Sequence, residues 1–293
     1  MKLLKIGFPS GSLKDSTLKL FDKAGYTIGL ASRSYEPDID DPELSGLMFR
    51  AQEIATYVER GVTDVGLTGR DYIIESGADV VEVGELVYSK ATARPYRWVI
   101  CVPEESDIKT LEDLQGKRIS TELVEATRHY LKERGIKAEV EFSWGATEIK
   151  AGIPGLADAI VDGTETGSSI KANRLRILAT MFESTTRLIA NKEAWADQWK
   201  REKAENLYML LQSALEAESK VGLKMNVPRP QLDEVVKALP ALHTPTISNQ
   251  QDDGWVAVEI IADEKVVRDL IPQLKRSGAT GIIEYPLNKV VYK

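Results

Sequence analysis

The 293-residue chain has a single cysteine, Cys101. No disulfide can form within it, a thiolate-rich zinc site is excluded, and a reducing compartment, the cytoplasm, fits. Histidine is almost as scarce: His129 and His243 are far apart in sequence, which argues against a histidine-based metal centre. No apolar run approaches the ~20 residues needed to cross a bilayer. The opening segment, Met1 to Pro9, is too short and too charged for a signal peptide and reads instead as a first strand. A basic excess is missing as well, since 38 Lys and Arg stand against 45 Asp and Glu, a formal net charge of −7. That argues against a protein whose main partner is a nucleic-acid backbone, which needs a positive footprint. It leaves room for a local basic pocket facing a phosphorylated small molecule.

What remains is an ordinary globular composition, 43% apolar and 28% charged, long enough for a sizeable core. Up to about residue 195, strand-like and helix-like segments alternate. Leu3–Phe8 is a short apolar run. Leu13, Thr17, Leu20, Phe21 and Ala24 then recur at helical spacing up to Gly25. Ala51–Arg60, Val124–Arg134 and the turn after Gly69 repeat the helical pattern, and 64–68, 98–102, 117–121, 138–142, 158–161 and 188–190 read as strands. This order predicts an α/β fold with largely parallel sheets. Arg94-Pro95-Tyr96 is a plausible crossing between two lobes. Residues 197–221 read as one long helix. The tail then runs strand (222–227), helix (228–239), two strands (244–248 and 255–262), helix (264–277) and strand (280–285), the ferredoxin-like βαββαβ order.

Four segments at strand ends are candidates for chemistry. In Asp158–Ser169 an apolar strand flanked by Asp158 and Asp162 enters the loop Gly163-Thr164-Glu165-Thr166-Gly167-Ser168-Ser169. Backbone N–H groups and hydroxyls in such a loop can surround a phosphate. The carboxylates suit ribose hydroxyls or Mg²⁺, which takes oxygen ligands. The same residues also fit a plain strand–turn–helix in which Thr and Ser are caps. There is no Walker-type Gly-Lys-Ser/Thr. Ser10-Gly11-Ser12 lies between the first strand and first helix and suits either an anion or a serine cap. Asp64 to Asp71, with Gly66, Gly69 and Arg70, allows close approach of a ligand to backbone or forms a turn. Lys117–Glu122 is another strand ending in hydroxyl and carboxylate groups. Loops of this kind at strand carboxyl ends are how an open α/β sheet builds a cleft.

Gly61–Asp71, Gly116–Glu122 and Asp158–Asn173 together resemble the ATP phosphoribosyltransferase family, the first enzyme of histidine biosynthesis. Trp144–Glu148 and Gly222–Pro228 resemble its long form, which carries a C-terminal regulatory domain. The resemblance spans essentially the whole chain. It implies two periplasmic-binding-protein-like lobes, 1–95 with 183–210 and 96–182, and a regulatory domain over 211–293. It implies a reaction joining N1 of ATP to C1 of phosphoribosyl pyrophosphate (PRPP) with release of pyrophosphate, Mg²⁺ as cofactor, histidine as feedback inhibitor, and homo-oligomers from dimer to hexamer.

Carried over residue by residue, Asp162 and Glu165 would be catalytic, holding ribose hydroxyls or joining the Mg²⁺ shell, with Asp162 the candidate metal ligand. Asp158, Asp162, Thr164, Glu165, Thr166, Gly167, Ser168 and Ser169 would bind PRPP. Ser10, Gly11, Ser12, Gly69, Arg70, Asp71, Arg97 and Glu122 would face ATP or the diphosphate. Asn226, Thr246 and Gly281 would belong to the histidine site, or simply pack between subunits. Family members usually carry Lys where this chain has Ser10, so either another cation such as Lys14, Arg33 or Arg50 supplies the missing charge, or affinity for that substrate is reduced, or the activity is altered. His129, Cys101 and Trp255 are expected to be structural. Two other functions fit the same pattern: a two-lobed binding or sensing protein without catalysis, and a phosphoribosyltransferase with another acceptor.

Overall fold

The computed structural model describes residues 2–31, 34–88, 96–240 and 244–291. Arg33, Arg94, Pro95 and His243 lie outside them. The chain divides into two compact units, Met1–Tyr208 and Met209–Lys293.

The first unit begins with β1 (Leu4–Ser10), α1 (Lys14–Ala24), the two-residue strands β2 (Ile28–Gly29) and β3 (Asp38–Ile39), β4 (Leu44–Arg50), α2 (Ala51–Glu59), β5 (Val65–Gly69), α3 (Arg70–Ser76) and β6 (Val81–Leu86). Helix α1 stops at Gly25, whose φ of 98° is left-handed, a conformation that glycine adopts without Cβ strain. In α2 the buried residues Ala51, Ile54, Ala55 and Val58 fall at three- and four-residue steps and face the sheet. The helix lies so close that a Cβ on Gly66 would sit 2.5 Å from Ile54 Cγ2. The first sheet has the order β4-β1-β5-β12-β6, where β12 (Thr186–Ala190) returns from the end of the second lobe.

That lobe comprises β7 (Tyr96–Pro103), β8 (Arg118–Thr121), α4 (Val124–Glu133), β9 (Glu139–Phe142), β10 (Ala159–Thr164), α5 (Ser168–Ala172) and β11 (Leu175–Ser184). Its sheet has the order β11-β7-β10-β8-β9. Trp98, Ile100 and Val102, alternate residues of β7, pack with Leu114, Ile119, Leu123 and Leu131. Val99 and Cys101 pack on the opposite side with Ile160 and Ile170. The expectation of largely parallel sheets is corrected. β1 pairs in parallel with β4 and β5, but β12 is antiparallel to β5 and β6. β10 is parallel to β8 but antiparallel to β7. β7 and β12 are the strands on which the chain crosses from one lobe to the other, and each inserts between strands of the sheet it enters, where no βαβ crossover fixes its direction.

After α6 (Lys192–Ala196) the long α7 (Gln198–Ala217) contains the boundary between units. The second unit has β13 (Lys220–Pro228), α8 (Leu232–Ala238), β14 (Thr246–Asn249), β15 (Trp255–Asp263), α9 (Glu264–Arg276) and β16 (Thr280–Pro286). Its sheet order, β14-β15-β13-β16, is antiparallel throughout and ferredoxin-like. Val221, Leu223, Met225 and Val227 alternate along β13 and pack with Val235 and with Val267, Leu270 and Leu274 of α9. Its helical residues thus share one core with one face of the sheet.

Candidate active site

The strands β1, β4 and β5 run in parallel, so their carboxyl ends lie together. Their loops supply Ser10, Gly11 and Ser12, then Arg50 and Gln52, then Gly69, Asp71 and Tyr72 to one cavity of about 340 Å³. The second lobe supplies Tyr96 and Trp98 from the start of β7, Glu122 after β8, and Asp162 and Glu165 at the end of β10. The cavity therefore lies between the lobes, at the strand ends where open α/β sheets hold ligands.

Side chains from the two lobes meet across it. Trp98 Nε1 donates to Asp71 Oδ2 at 2.6 Å. Tyr72 N donates to the other oxygen, Oδ1, at 3.0 Å. Burial pushes the Asp71 carboxyl up, against these donors. Glu122 Oε1 accepts from Gln52 Nε2 at 2.7 Å and from Tyr72 OH at 3.3 Å. Tyr96 stands edge-on to Trp98, ring centroids 5.8 Å apart. Burial, reinforced by the neighbouring carboxylates, raises the Tyr72 and Tyr96 phenols, so both are neutral hydrogen-bonding groups. Asp162 is pushed up to about 6, first by burial and then by the like charges of Glu148 and Glu122, although Gly163 N donates to its Oδ1 at 2.8 Å.

The structure brings together Ser10, Gly11, Ser12, Gly69, Asp71, Glu122, Asp162 and Glu165. Asp158 is elsewhere: it precedes β10, at the opposite end of the strand from Thr164, and its Oδ2 accepts from Arg118 N at 2.9 Å. Six residues of extended chain, on the order of 20 Å, separate it from that end. Arg70 is exposed at the start of α3, and Arg97 pairs with Thr164 and Glu183 in the sheet; neither lines the cavity. Thr164 to Ser169 form a tight turn just beyond it. Gly167, at a φ of 79°, donates its N–H to Thr164 Oγ1 at 2.8 Å, and Thr166 OH donates to Ser168 Oγ at 3.0 Å. These hydroxyls thus hold the turn that leads into α5. Of the three cations named for the Ser10 position, Arg50 lines the cavity and Lys14 does not. A Cβ on Gly11 would sit 3.3 Å from Arg50 Nη1.

Sequence reasoning did not place Gln52, Tyr72, Tyr96, Trp98 or the Ser184–Thr186 link in the site. β4 was legible in principle, because Leu44, Gly46 and Met48 are buried at alternate positions and the run ends at the α2 start. β11 carried less signal: two register irregularities break its alternation.

In the second unit Asn226 and Gly281 are neighbours. A Cβ on Gly281 would lie 3.2 Å from Asn226 Nδ2, and Gln250 Nε2 donates to Asn226 Oδ1 at 2.6 Å. Thr246 is not beside them: it lies on β14, two strands from β13, and pairs with Glu259. The residues expected to be structural behave so. Cys101 is fully buried, His129 is a surface residue 3.1 Å from Glu133, and Trp255 starts β15 half-buried.

The ATP phosphoribosyltransferase family model matches residues 50–213, and the model described as HisG, C-terminal domain, matches 217–289. Over 290 residues the chain is 61% identical to the ATP phosphoribosyltransferase of Thermodesulfovibrio yellowstonii, covering 99% of each. It is 60% identical over 290 residues to that of Prosthecochloris aestuarii, covering 99% of this chain and 98% of the other. Among solved structures, the ATP phosphoribosyl transferase (HisG:HisZ) complex from Thermotoga maritima aligns with a TM-score of 0.61 at 26% identity, over 72% of this chain and 99% of that chain.

Proposed function

The chain belongs to the ATP phosphoribosyltransferase family, and from that premise we propose that the cavity between its lobes is where ATP and PRPP meet. The reaction joins N1 of ATP to C1 of PRPP and releases pyrophosphate. No covalent protein nucleophile is needed. The protein's task is to orient two polyanions and to support the charge that develops at the ribose C1.

The convergence of five strand-end loops on one cavity supports this placement most directly. In it Asp162 and Glu165 hold the ribose hydroxyls of PRPP, and the turn from Thr166 to Ser169 receives its 5′-phosphate. Asp158 and Arg97 have no part in this arrangement. Ser10, Gly11 and Ser12 offer backbone N–H groups and hydroxyls to phosphate oxygens, and Arg50 supplies the positive charge that Ser10 does not. Asp71, Tyr72, Trp98 and Glu122 form the wall between the lobes.

The cavity is lined by four carboxylates, Asp71, Glu122, Asp162 and Glu165, against Arg50. Two polyanions therefore need added positive charge. Members of the family use a divalent metal, and Mg²⁺ suits this donor set. Among the described residues no three His, Cys, Asp or Glu side chains group as a self-sufficient metal site, whereas Mg²⁺ is commonly held by one or two carboxylates together with substrate phosphates. Asp162 is the carboxylate that would hold it. When bound, Mg²⁺ neutralises charge on the departing diphosphate.

The second unit receives histidine next to Asn226 and Gly281, which slows the enzyme. Thr246 lies two strands away from those residues within one copy of the chain. Dimers and hexamers are the expected assemblies and the cytoplasm the expected location, since ATP is available there.

Pyrophosphate release from ATP and PRPP tests the substrate placement. Arg50→Ala should lower kcat/KM by at least about tenfold, the scale of one lost charge-assisted contact, while Asp158→Ala stays within about twofold. Equal effects of the two substitutions would refute it. For the second unit, histidine should raise the Tm of the full chain by mass action, and Asn226→Ala should abolish that rise. An unchanged rise would refute the placement.

A further inference from the structure

Helix α4 begins without a cap of its own. The residue at its N-terminal boundary is Leu123, which has no side-chain oxygen. The second and third helical amides, those of Glu125 and Ala126, nonetheless have partners. Glu125 N donates to Glu75 Oε1 at 3.1 Å and Ala126 N to Glu75 Oε2 at 2.9 Å. Glu75 belongs to α3, in the other lobe. A carboxylate on the first turn is favoured by the helix dipole, and its bonds to N–H groups are charge-assisted.

The same short stretch of chain holds Glu122, two residues before α4 begins. Glu122 accepts from Gln52 and Tyr72, which also come from the first lobe. Residues 122–126 are thus tied to α2 and α3 at two points: Glu122 at the cavity, and the helix start behind it. Glu75 itself does not line the cavity. Glu75 is half-buried, and burial is the main cause that raises its carboxyl.

We propose that Glu75 is a positioning residue for the phosphoribosyl transfer: it caps α4 across the cleft and holds the two lobes at the separation that places Glu122 and Asp162 opposite Ser10–Ser12 and Arg50. The cap has two discrete states. With the lobes together the carboxylate bonds the two amides; with the lobes apart both are returned to water. The cavity in which both substrates are proposed to meet is lined from both lobes, so both favour the closed state, and a loss of closing free energy is drawn from the affinity of whichever binds first. This rests on both substrates binding in the cavity between the lobes.

Steady-state kinetics of the full-length enzyme separate the roles. Glu75→Ala should raise KM for ATP and for PRPP, each measured with the other substrate well below saturation, by the same factor, about tenfold as for a lost helix cap, with kcat within about twofold of wild type. Glu75→Gln keeps one acceptor oxygen and should raise both by about threefold, half of that free energy. A fall in kcat with both KM values unchanged marks a merely structural residue and overturns the proposal. A change in one KM alone marks a direct substrate contact and also overturns it. If Glu75→Ala does not fold, hydrogen exchange decides. The amides of Glu125 and Ala126 should exchange at least about threefold more slowly in wild type than in Glu75→Gln, and equal rates overturn the cap. An absent Arg50→Ala effect with the paired KM shifts intact counts against the substrate placement alone; the reverse counts against Glu75 alone.

Discussion

Replacing Trp98 with phenylalanine removes a single donor from a buried carboxylate at the seam between the lobes. Trp98 is 3% exposed and Asp71 5% exposed, and their N···O distance is 2.6 Å. A hydrogen bond to a charged group contributes about 1.5–3 kcal/mol net. Shrinking an indole to a phenyl ring in a packed site adds about 1 kcal/mol for the space left behind. Trp98→Phe should therefore destabilise the chain by about 2.5–4 kcal/mol in urea unfolding followed by circular dichroism. A double-mutant cycle with Asp71→Ala isolates the bond from the packing loss, and its coupling should be about 1.5–3 kcal/mol. The pH dependence has a definite sign. Burial already raises the Asp71 carboxyl above its ordinary range, and the Trp98 N–H is among the groups holding it down. In the variant it rises further. The native state then binds a proton that the unfolded chain has lost, so stability falls as pH increases through that window. The cost of Trp98→Phe should thus be smaller near pH 4 than near pH 7. A coupling below about 0.5 kcal/mol, the limit of ordinary additivity, would show that the two side chains act independently and would refute the argument.

Asp162, pushed up to about 6, is charged above that pH and neutral below it, so kcat/KM should fall as pH drops through about 6. The limb should vanish, at much lower activity, in Asp162→Asn. For stability the native carboxyl holds its proton more tightly than the unfolded one, so wild type should lose Tm as pH rises from about 4 to about 6, and Asp162→Asn should not; parallel Tm curves would contradict this. Gly163→Ala puts a Cβ 2.0 Å from Tyr96 Cε1, forcing the ring toward the cavity. A stability loss of about 1–3 kcal/mol together with reduced kcat/KM is expected, and retention of both would show that the ring yields freely. Ser10→Lys should lower KM for the substrate whose phosphates meet that loop; an unchanged or higher KM would mean that Arg50 already meets the requirement.

Much of the architecture was open to inspection in the residue order. The helices at 14–24, 51–59 and 124–133 follow from apolar spacing and glycine stops, and the βαββαβ tail from alternation broken by helical runs. The strands β6 and β11 were not legible. β6 buries only Leu86 outright, and β11 contains charged residues and two irregularities. Both depend on neighbours supplied by the rest of the sheet. In the site, Asp162, Glu165, Glu122 and the Ser10–Ser12 loop could be named because they stand at ends of recognisable strands. Asp158 was named on the same ground and is displaced, since a strand has two ends and a local pattern does not say which faces the cleft.

Local chemistry is carried by neighbours along the chain, and it is enough to determine that this is an α/β protein with a ferredoxin-like tail, poor in thiols and imidazoles, with hydroxyl- and carboxylate-bearing loops. The family motifs are of this kind too, being short runs of consecutive residues. Only the tertiary structure decided that Trp98 meets Asp71, that Arg50 stands over Gly11, and that Glu75 caps a helix 50 residues further along the chain. Each of these contacts joins segments from different loops or lobes. Its free energy depends on distance and burial in space, and neither is written in the spacing of residues along the chain.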